Sequence, residues 1–445
     1  MTRKAVAAVV SLLIAADAGA GPAHAAWTAP ATLGPSTSGG REATEPGPRV
    51  ALGADGTLLA AWVRSELPRD AVYAAIGSDR GRFGAAQRLG EGLRPAVAAG
   101  ADGAGVVVFE GRGGLRISVR RTGARRFSAA RVLVTGTTKG VREEFALVGI
   151  DAAGTALVVY EHTVDGSAGF RRSLRTLRVD VRTGRARGAI QDLGLASLPR
   201  GATLERGAGG GLALLTRINL PTATGYRAGP TQVLTWAPGA PSPARFSPPA
   251  PRSFTEEVLS GDGRGQLALA GVRATLDGEA GASGHPIAAL ASGSPLAMRA
   301  PFAGPSVTLP SRTFGAVAAA IPGGRLAMVF QQKDAPAGFA RDAPVLGVAI
   351  SAAGVAGRAV RLSARKGSEP QIVSVGDSAV TVWDDAGRLA AARHTRRGWT
   401  RIAPPRGSVV RFHDYVTNRQ LVATGSTAVY IWEARSSIRV SVLRR

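Results

Sequence analysis

Three glycine–aromatic–arginine motifs are the residues of this 445-residue chain best suited to bind a ligand. They lie at positions 169–172, 225–227 and 338–341. An aromatic ring offers a flat apolar surface to a sugar, and a guanidinium group pairs with a carboxylate, sulfate or phosphate. The alternative is that each aromatic residue only begins a β-strand. The predicted ligand-binding residues are Phe170, Arg172, Tyr226, Arg227, Phe339 and Arg341.

Catalytic and metal-binding patterns are missing from the sequence. The chain has no cysteine, which excludes a thiol nucleophile, a disulfide framework and a zinc–cysteine site. Adjacent acids occur at 143–144, 256–257 and 384–385, but neighbours in a strand point to opposite faces and do not meet one sugar. We therefore expect no catalytic residue, no metal ligand and no cofactor. Acids from different repeats facing one substrate would still allow an enzyme.

The charge of the chain is strongly positive. It has 55 Lys and Arg residues against 31 Asp and Glu, for a net charge of +24. Such a charge favours binding to polyanions. The arginines are scattered along the chain, however, and the codon usage of a GC-rich genome also explains their number. No nucleic-acid motif is present. The expected partners are an anionic polysaccharide, a cell-envelope polymer or a protein, and not nucleic acid.

An internal repeat positions these residues. Each copy has a turn residue followed by a short apolar run. Six residues after the turn residue is an anchor position, which is aromatic in most copies. Successive anchors are 47–59 residues apart. Two copies are degenerate, with Thr216 and Gly271 at the anchor position. Four short strands per unit, separated by Gly/Asp turns, are typical of a propeller blade. The aromatic anchors are Trp62, Phe109, Tyr160, Phe330, Trp383 and Trp432.

The fold class expected from this repeat is all-β, a single β-propeller of eight four-stranded blades. Fourth strands open with an aromatic and a small residue, as at Phe83–Gly84, and the N-terminal segment from Trp27 to Gly34 has the same pattern. We predict that residues 26–34 complete the last blade and close the ring, which removes exposed sheet edges. Seven blades is the alternative, if a degenerate unit is not a blade.

The N-terminus has the features of a secretory signal peptide. Arg3 and Lys4 precede an apolar run, and Ala23–His24–Ala25 has the pattern that signal peptidase cleaves. We expect residues 1–25 to be removed and residues 26–445 to form the propeller. No later segment is apolar enough to span a membrane. The expected product is a secreted monomer.

The repeats resemble those of bacterial secreted β-propeller proteins, in the broad sialidase-like and WD40-like sense. Residues 53–57 only partly match the sialidase Asp-box, and Trp383–Asp384 occupies the position of a WD dipeptide. The resemblance covers the whole of 26–445 and implies a fold, not an active site. The missing Asp-boxes and the lack of an acid/base constellation favour a non-catalytic binding protein that recognises its ligand on one loop face. The alternative is a glycan-active hydrolase or lyase on a sialidase-like propeller.

Overall fold

A computed structural model shows an all-β protein. In the part of the chain that it describes there is no α-helix, and one 3-10 turn lies at Ala208–Gly210. The expected all-β class is confirmed. The described residues are 26–35, 47–66, 68–136, 140–166, 169–198, 202–222, 225–246, 254–262, 266–274, 284–291, 312–333, 343–353, 355–363, 367–406, 419–434 and 437–444.

After strand β1 (Ala31–Pro35), the first four units of the chain form separate antiparallel sheets. The first comprises β2 (Arg49–Leu52), β3 (Thr57–Glu66), β4 (Arg69–Ser78) and β5 (Gln87–Glu91). The second comprises β6 (Leu93–Ala99), β7 (Gly105–Gly111), β8 (Gly114–Arg120) and β9 (Arg131–Thr135). The third comprises β10 (Val141–Ile150), β11 (Thr155–Gly166), β12 (Gly169–Asp180) and β13 (Ala186–Asp192). The fourth comprises β14 (Ala196–Ser197), β15 (Leu204–Arg206), β16 (Leu212–Thr222), β17 (Gly225–Trp236) and β18 (Ala244–Phe246).

The fifth and sixth units share one hydrogen-bonded sheet, unlike the separate blades predicted. The pair Gly284 and Thr313 joins them. The fifth comprises β19 (Phe254–Gly261), β20 (Leu267–Ala274) and β21 (Gly284–Ala291), and the sixth β22 (Arg312–Ile321), β23 (Arg325–Lys333), β24 (Val345–Ile350) and β25 (Val360–Arg361). The seventh comprises β26 (Gly367–Val375), β27 (Ser378–Asp385), β28 (Arg388–Thr395) and β29 (Gly398–Ile402). The last comprises β30 (Arg419–Thr424), β31 (Thr427–Ala434) and β32 (Ser437–Arg444), with β1 at its edge.

The core lies between neighbouring sheets. Strand β11 shows why the second strands are apolar throughout. Its residues Val158 and Tyr160 pack toward the second sheet, and Val159 packs toward the fourth, so both faces of the strand are buried. Every aromatic anchor of the repeat is at most 1% exposed, which explains why the repeat carries a large side chain there.

The turn between the first two strands of a unit has a recurrent structure. An aspartate lies in the turn (Asp55, Asp102) or just before it (Asp151). It accepts a hydrogen bond from a backbone N–H beyond the turn, at 2.9, 3.1 and 3.0 Å respectively. Each turn also needs a left-handed residue, with φ of 84°, 77° and 70°, where glycine is favoured. The glycines are Gly56, Gly103 and Gly154.

The N-terminal segment pairs with the last unit, as the sequence predicts. Strand β1 runs antiparallel to β32, with Ala31 opposite Val440 and Pro35 opposite Ser437. The first unit also contacts the last, since β2 packs against β30 and β31. One link is a hydrogen bond of 2.8 Å from the Val50 N–H to Oε1 of Gln420.

Candidate functional site

Two hairpins extend one end of the third and fourth sheets. Strands β11 and β12 stay paired as far as Gly166 opposite Gly169, and β16 and β17 as far as Thr222 opposite Gly225. In the second sheet, β7 ends two residues after its anchor at Phe109, whereas β11 continues six residues beyond Tyr160. At about 3.3 Å per residue, the β11–β12 hairpin projects roughly 13 Å further. The second and third strands of these two units are therefore regular strand as far as these pairs.

The structure places the predicted ligand-binding residues on these hairpins only in part. Phe170 is opposite Asp165 and Tyr226 is opposite Pro221, so both aromatic residues lie one position into a third strand. For Phe170, Tyr226 and Arg227 the backbone alone is described. Phe339 and Arg341 lie outside the described residues.

Arg172 is the predicted residue whose side chain can be examined. It is 47% exposed, and its Nη1 lies 4.0 Å from Oε2 of Glu161. The other Glu161 oxygen accepts the Leu198 N–H at 2.9 Å, which ties the third unit to the fourth. Burial raises the pKa of Glu161. The guanidinium of Arg172 thus has only a long ion pair with Glu161 and otherwise faces solvent, so it can bind an anionic ligand.

A second group of charged residues lies where the second and third units meet, at the same end of the sheets. We call Arg94, Glu110, Glu144 and Phe145 the Arg94 cluster. Nη1 of Arg94 is 2.9 Å from Oε2 of Glu110 and 3.4 Å from Oε2 of Glu144. The guanidinium carbon lies 4.3 Å from the ring centroid of Phe145, a cation–π contact. Two acids from different units therefore converge on one arginine.

Backbone bulges bring the Arg94 cluster together. Strand β6 shifts register between Leu93 and Ala96, and β10 between Glu144 and Leu147. Arg94 and Phe145 occupy these bulges with φ of 48° and 53°, a conformation that non-glycine residues rarely adopt. Glu369 in the seventh unit repeats it with φ of 48°. No glycine marks this bulge in the sequence, so the strand pattern does not predict it.

Burial changes the protonation of one member of the Arg94 cluster, Glu110. It raises the pKa of Glu110 to about 7, against the opposing effects of Arg94 and of the Phe145 N–H, which donates to Oε1 at 2.7 Å. The other Glu144 oxygen accepts the Thr163 hydroxyl at 3.3 Å. Each oxygen of these two carboxylates thus has a donor from the protein. This is the pattern of a network that joins adjacent sheets.

The same two carboxylates have a spacing that is relevant to catalysis. Because one nitrogen atom contacts an oxygen of each at 2.9 and 3.4 Å, those oxygens are at most roughly 6.3 Å apart. Acid pairs this close are typical of retaining glycosidases, and a carboxyl with a pKa near 7 can serve as a general acid or base. These acids belong to different units, so the sequence does not indicate that they pair.

A further acid lies on the opposite face of β10. Oε1 of Glu143 is 2.8 Å from Nδ1 of His162 and 3.9 Å from Nη1 of Arg175. Burial raises the pKa of Glu143. Over the described ranges, no group of three or more His, Asp or Glu residues is arranged to hold a metal ion. Within those ranges, too, no helix is long and apolar enough to cross a bilayer.

Comparison with known proteins places the chain near β-propellers of several activities. No protein-family model matches it, and no curated protein is a recognisable relative. Polysaccharide lyase Uly1 is 10% identical, with 92% of each chain covered and a TM-score of 0.46. The β-propeller domain of the Trilobed protease from Pyrococcus furiosus is 9% identical, over 81% of this chain and 96% of that one, with a TM-score of 0.42.

An α-L-arabinanase of Penicillium chrysogenum complexed with arabinobiose is 12% identical, over 94% of this chain and 98% of that one, with a TM-score of 0.39. All three TM-scores are below 0.5 and their activities differ, so they assign no activity to this chain. Its β-propeller character rests on its own sheets, which follow one another in up-and-down order and pack face to face.

Proposed function

We propose that this chain is a secreted, non-catalytic β-propeller that binds an anionic polysaccharide, a cell-envelope polymer or a protein. The binding surface is the end of the sheets that carries the two extended hairpins. The main support for this proposal is the β11–β12 hairpin, on which Arg171 and Arg172 are exposed. The whole chain has a net charge of +24. Charge-assisted, bidentate hydrogen bonds to carboxylate or sulfate are the strongest contacts such a surface offers.

In this proposal residues 26–445 form one ring of eight blades, following a signal peptide at 1–25. Two observations support the ring: β1 completes the sheet of the last unit, and that unit contacts the first. Chain closure of this kind holds the binding loops on a rigid scaffold. N-terminal sequencing of exported protein tests the cleavage, with Ala26 as the expected first residue.

The binding surface is tested by a triple variant, Arg172→Ala with Arg227→Ala and Arg341→Ala. Binding to polygalacturonate and to dextran sulfate is measured at constant ionic strength, with neutral dextran as the reference ligand. Each lost pair costs about 1.5–3 kcal/mol if the contact is desolvated, so affinity should fall at least tenfold.

The matched control triple is Arg125→Ala, Arg185→Ala and Arg396→Ala, which removes the same charge from exposed positions elsewhere. We expect it to change affinity less than about twofold, as screened surface charge does. Equal losses in the two triples would show that diffuse charge attracts the polymer, and the hairpin surface would be abandoned.

A glycan-active hydrolase or lyase is the second candidate, and the closeness of Glu110 and Glu144 favours it. Glu144→Gln separates the two proposals. An enzyme loses its activity on an acidic polysaccharide, read as reducing ends or as the ultraviolet absorbance of unsaturated product, whereas a binding protein releases no product before or after the change. The triple variant of Arg172, Arg227 and Arg341 should weaken binding in either case.

A further inference from the structure

A groove of about 410 Å³ lies at the other end of the sheets, between the second and third units. It is lined by the connection between β8 and β9 and by the turn that follows β12. Strand β12 is 12 residues long, and its other end carries the Arg171–Arg172 hairpin. At about 3.3 Å per residue, the groove and the hairpin tip are roughly 40 Å apart. The groove is therefore distinct from the proposed binding surface.

The lining of this groove is strongly basic. It contains Arg121, Arg126, Arg131 and Arg182, and no acidic residue. Like charges placed together repel one another, and an anion bound among them relieves that repulsion. The remaining lining is small or apolar and includes Val119 and Phe127.

Two of the arginines are held in position by the protein. Nε of Arg121 donates to the carbonyl oxygen of Arg182 at 3.2 Å, which links the two connections. Nη2 of Arg131 is buried and has no hydrogen-bond partner. The turn at Gly184 approaches it so closely that a Cβ atom there would lie 2.8 Å from Nη2. A buried guanidinium nitrogen without an acceptor is expected to bind one.

The acids beside the groove, Asp180 and Asp102, already have donors. Asp180 accepts the Thr183 N–H at 2.9 Å and the Thr183 hydroxyl at 3.1 Å, and it pairs with Arg187. The Thr122 hydroxyl donates to Oδ2 of Asp102 at 2.6 Å, and the Ala104 N–H donates to Oδ1 at 3.1 Å. The Thr122 hydrogen bond lowers the pKa of Asp102, with a smaller contribution from Arg182. Asp102 does not line the groove. Even with Asp102 nearby, the four guanidinium groups of the groove keep a net positive charge.

We infer that this groove binds a sugar-sized molecule that carries a phosphate or sulfate ester. The volume is in the range of small-molecule sites, and four guanidinium groups match a doubly charged or tetrahedral oxyanion. The walls of Val119 and Phe127 offer apolar contact to the rest of the molecule. Phosphate and sulfate esters share the recognised chemistry, and the experiment separates them.

The test uses the chain from Ala26 to Arg445 and measures binding of glucose 6-phosphate and of N-acetylglucosamine 6-sulfate by calorimetry. Unmodified N-acetylglucosamine is the reference ligand. We expect saturable binding of at least one ester and none of the neutral sugar. The groove triple Arg121→Ala, Arg126→Ala and Arg182→Ala changes exposed side chains and should weaken binding at least tenfold.

The control triple Arg80→Ala, Arg388→Ala and Arg396→Ala removes the same charge from exposed positions in other units and should leave the affinity within twofold. Arg171→Ala with Arg172→Ala, on the hairpin, should do the same. No saturable binding of either ester, or an equal loss in the groove and control triples, would overturn the proposal. A loss caused only by the hairpin variant would assign the ester to the proposed binding surface and leave the groove without a ligand.

Discussion

Several ionisable side chains of this protein are buried, and burial changes their pKa values. Glu110 is 16% exposed at its side chain and contacts Arg94, yet burial outweighs that contact and raises its pKa to about 7. A carboxyl whose folded pKa lies above its unfolded value binds more protons when folded. Its contribution to stability is therefore full below the unfolded value near 4.5 and is lost as the pH rises toward 7.

Glu110→Gln tests this residue-scale effect, because glutamine resembles the protonated carboxyl. We expect the free energies of unfolding of variant and wild type to be close at about pH 4 and to diverge as the pH rises. At about pH 8 the variant should be more stable by an amount on the order of 3 kcal/mol. Urea unfolding across this range measures the difference. In the control Glu91→Gln, Arg69 lowers the pKa of the replaced acid, so that variant should gain no stability at high pH.

At the scale of elements, a buried ion pair joins the third unit to the fourth. Arg178 and Asp151 pair at side-chain exposures of 7% and 0%. Asp151 also accepts the Gly239 N–H at 2.9 Å, and Arg178 donates to the Ala240 carbonyl oxygen at 2.7 Å. The turn after β17 is thus held by Asp151 in the β10–β11 turn and by Arg178 in β12, both in the preceding unit.

Asp151→Ala should destabilise the protein by about 3–5 kcal/mol, because it leaves the Arg178 guanidinium buried without its partner. Thermal and urea unfolding measure the loss. Adding Arg178→Leu should restore part of the stability, since no unpaired charge then remains. Arg187→Ala is the control: its pair with Asp180 is 60% exposed on the arginine side and should cost less than about 1 kcal/mol. Similar losses from both single variants would contradict the assigned role of burial.

At the scale of the whole molecule, the N-terminal segment fastens the first and last parts of the chain together. The Thr28 N–H donates to the Val442 carbonyl oxygen at 2.8 Å, and the Ser441 hydroxyl donates to the Thr28 carbonyl oxygen at 2.7 Å. Trp27 packs edge-on against Tyr430, with ring centroids 6.5 Å apart. The last unit would otherwise present β32 as an open edge.

Removal of residues 26–35 should therefore lower the melting temperature and promote aggregation, relative to a chain that begins at Ala26. The physical reason is the loss of the β1–β32 hydrogen bonds together with exposure of the β32 edge. Differential scanning calorimetry and light scattering measure the two effects. An unchanged melting temperature would show that this segment does not stabilise the last unit.

The repeat, the all-β class and the pairing of the N-terminal segment with the last unit can all be predicted from the sequence. These features rest on local signals, since an apolar run between Asp/Gly turns specifies a strand wherever it occurs. The sequence also indicates that Phe170 and Tyr226 lie near the start of third strands. It does not show that the hairpins extend as regular strand.

Which charged residues meet depends on how the units pack against one another. Arg94 is 16 residues from Glu110 and 50 residues from Glu144 in the chain, and Arg121 is 61 residues from Arg182. Contacts between sheets depend on bulges, on strand length and on how neighbouring units pack, none of which a single strand pattern encodes. The physical reason is that periodicity reports burial, whereas the pairing of polar groups is settled by the three-dimensional distances between units.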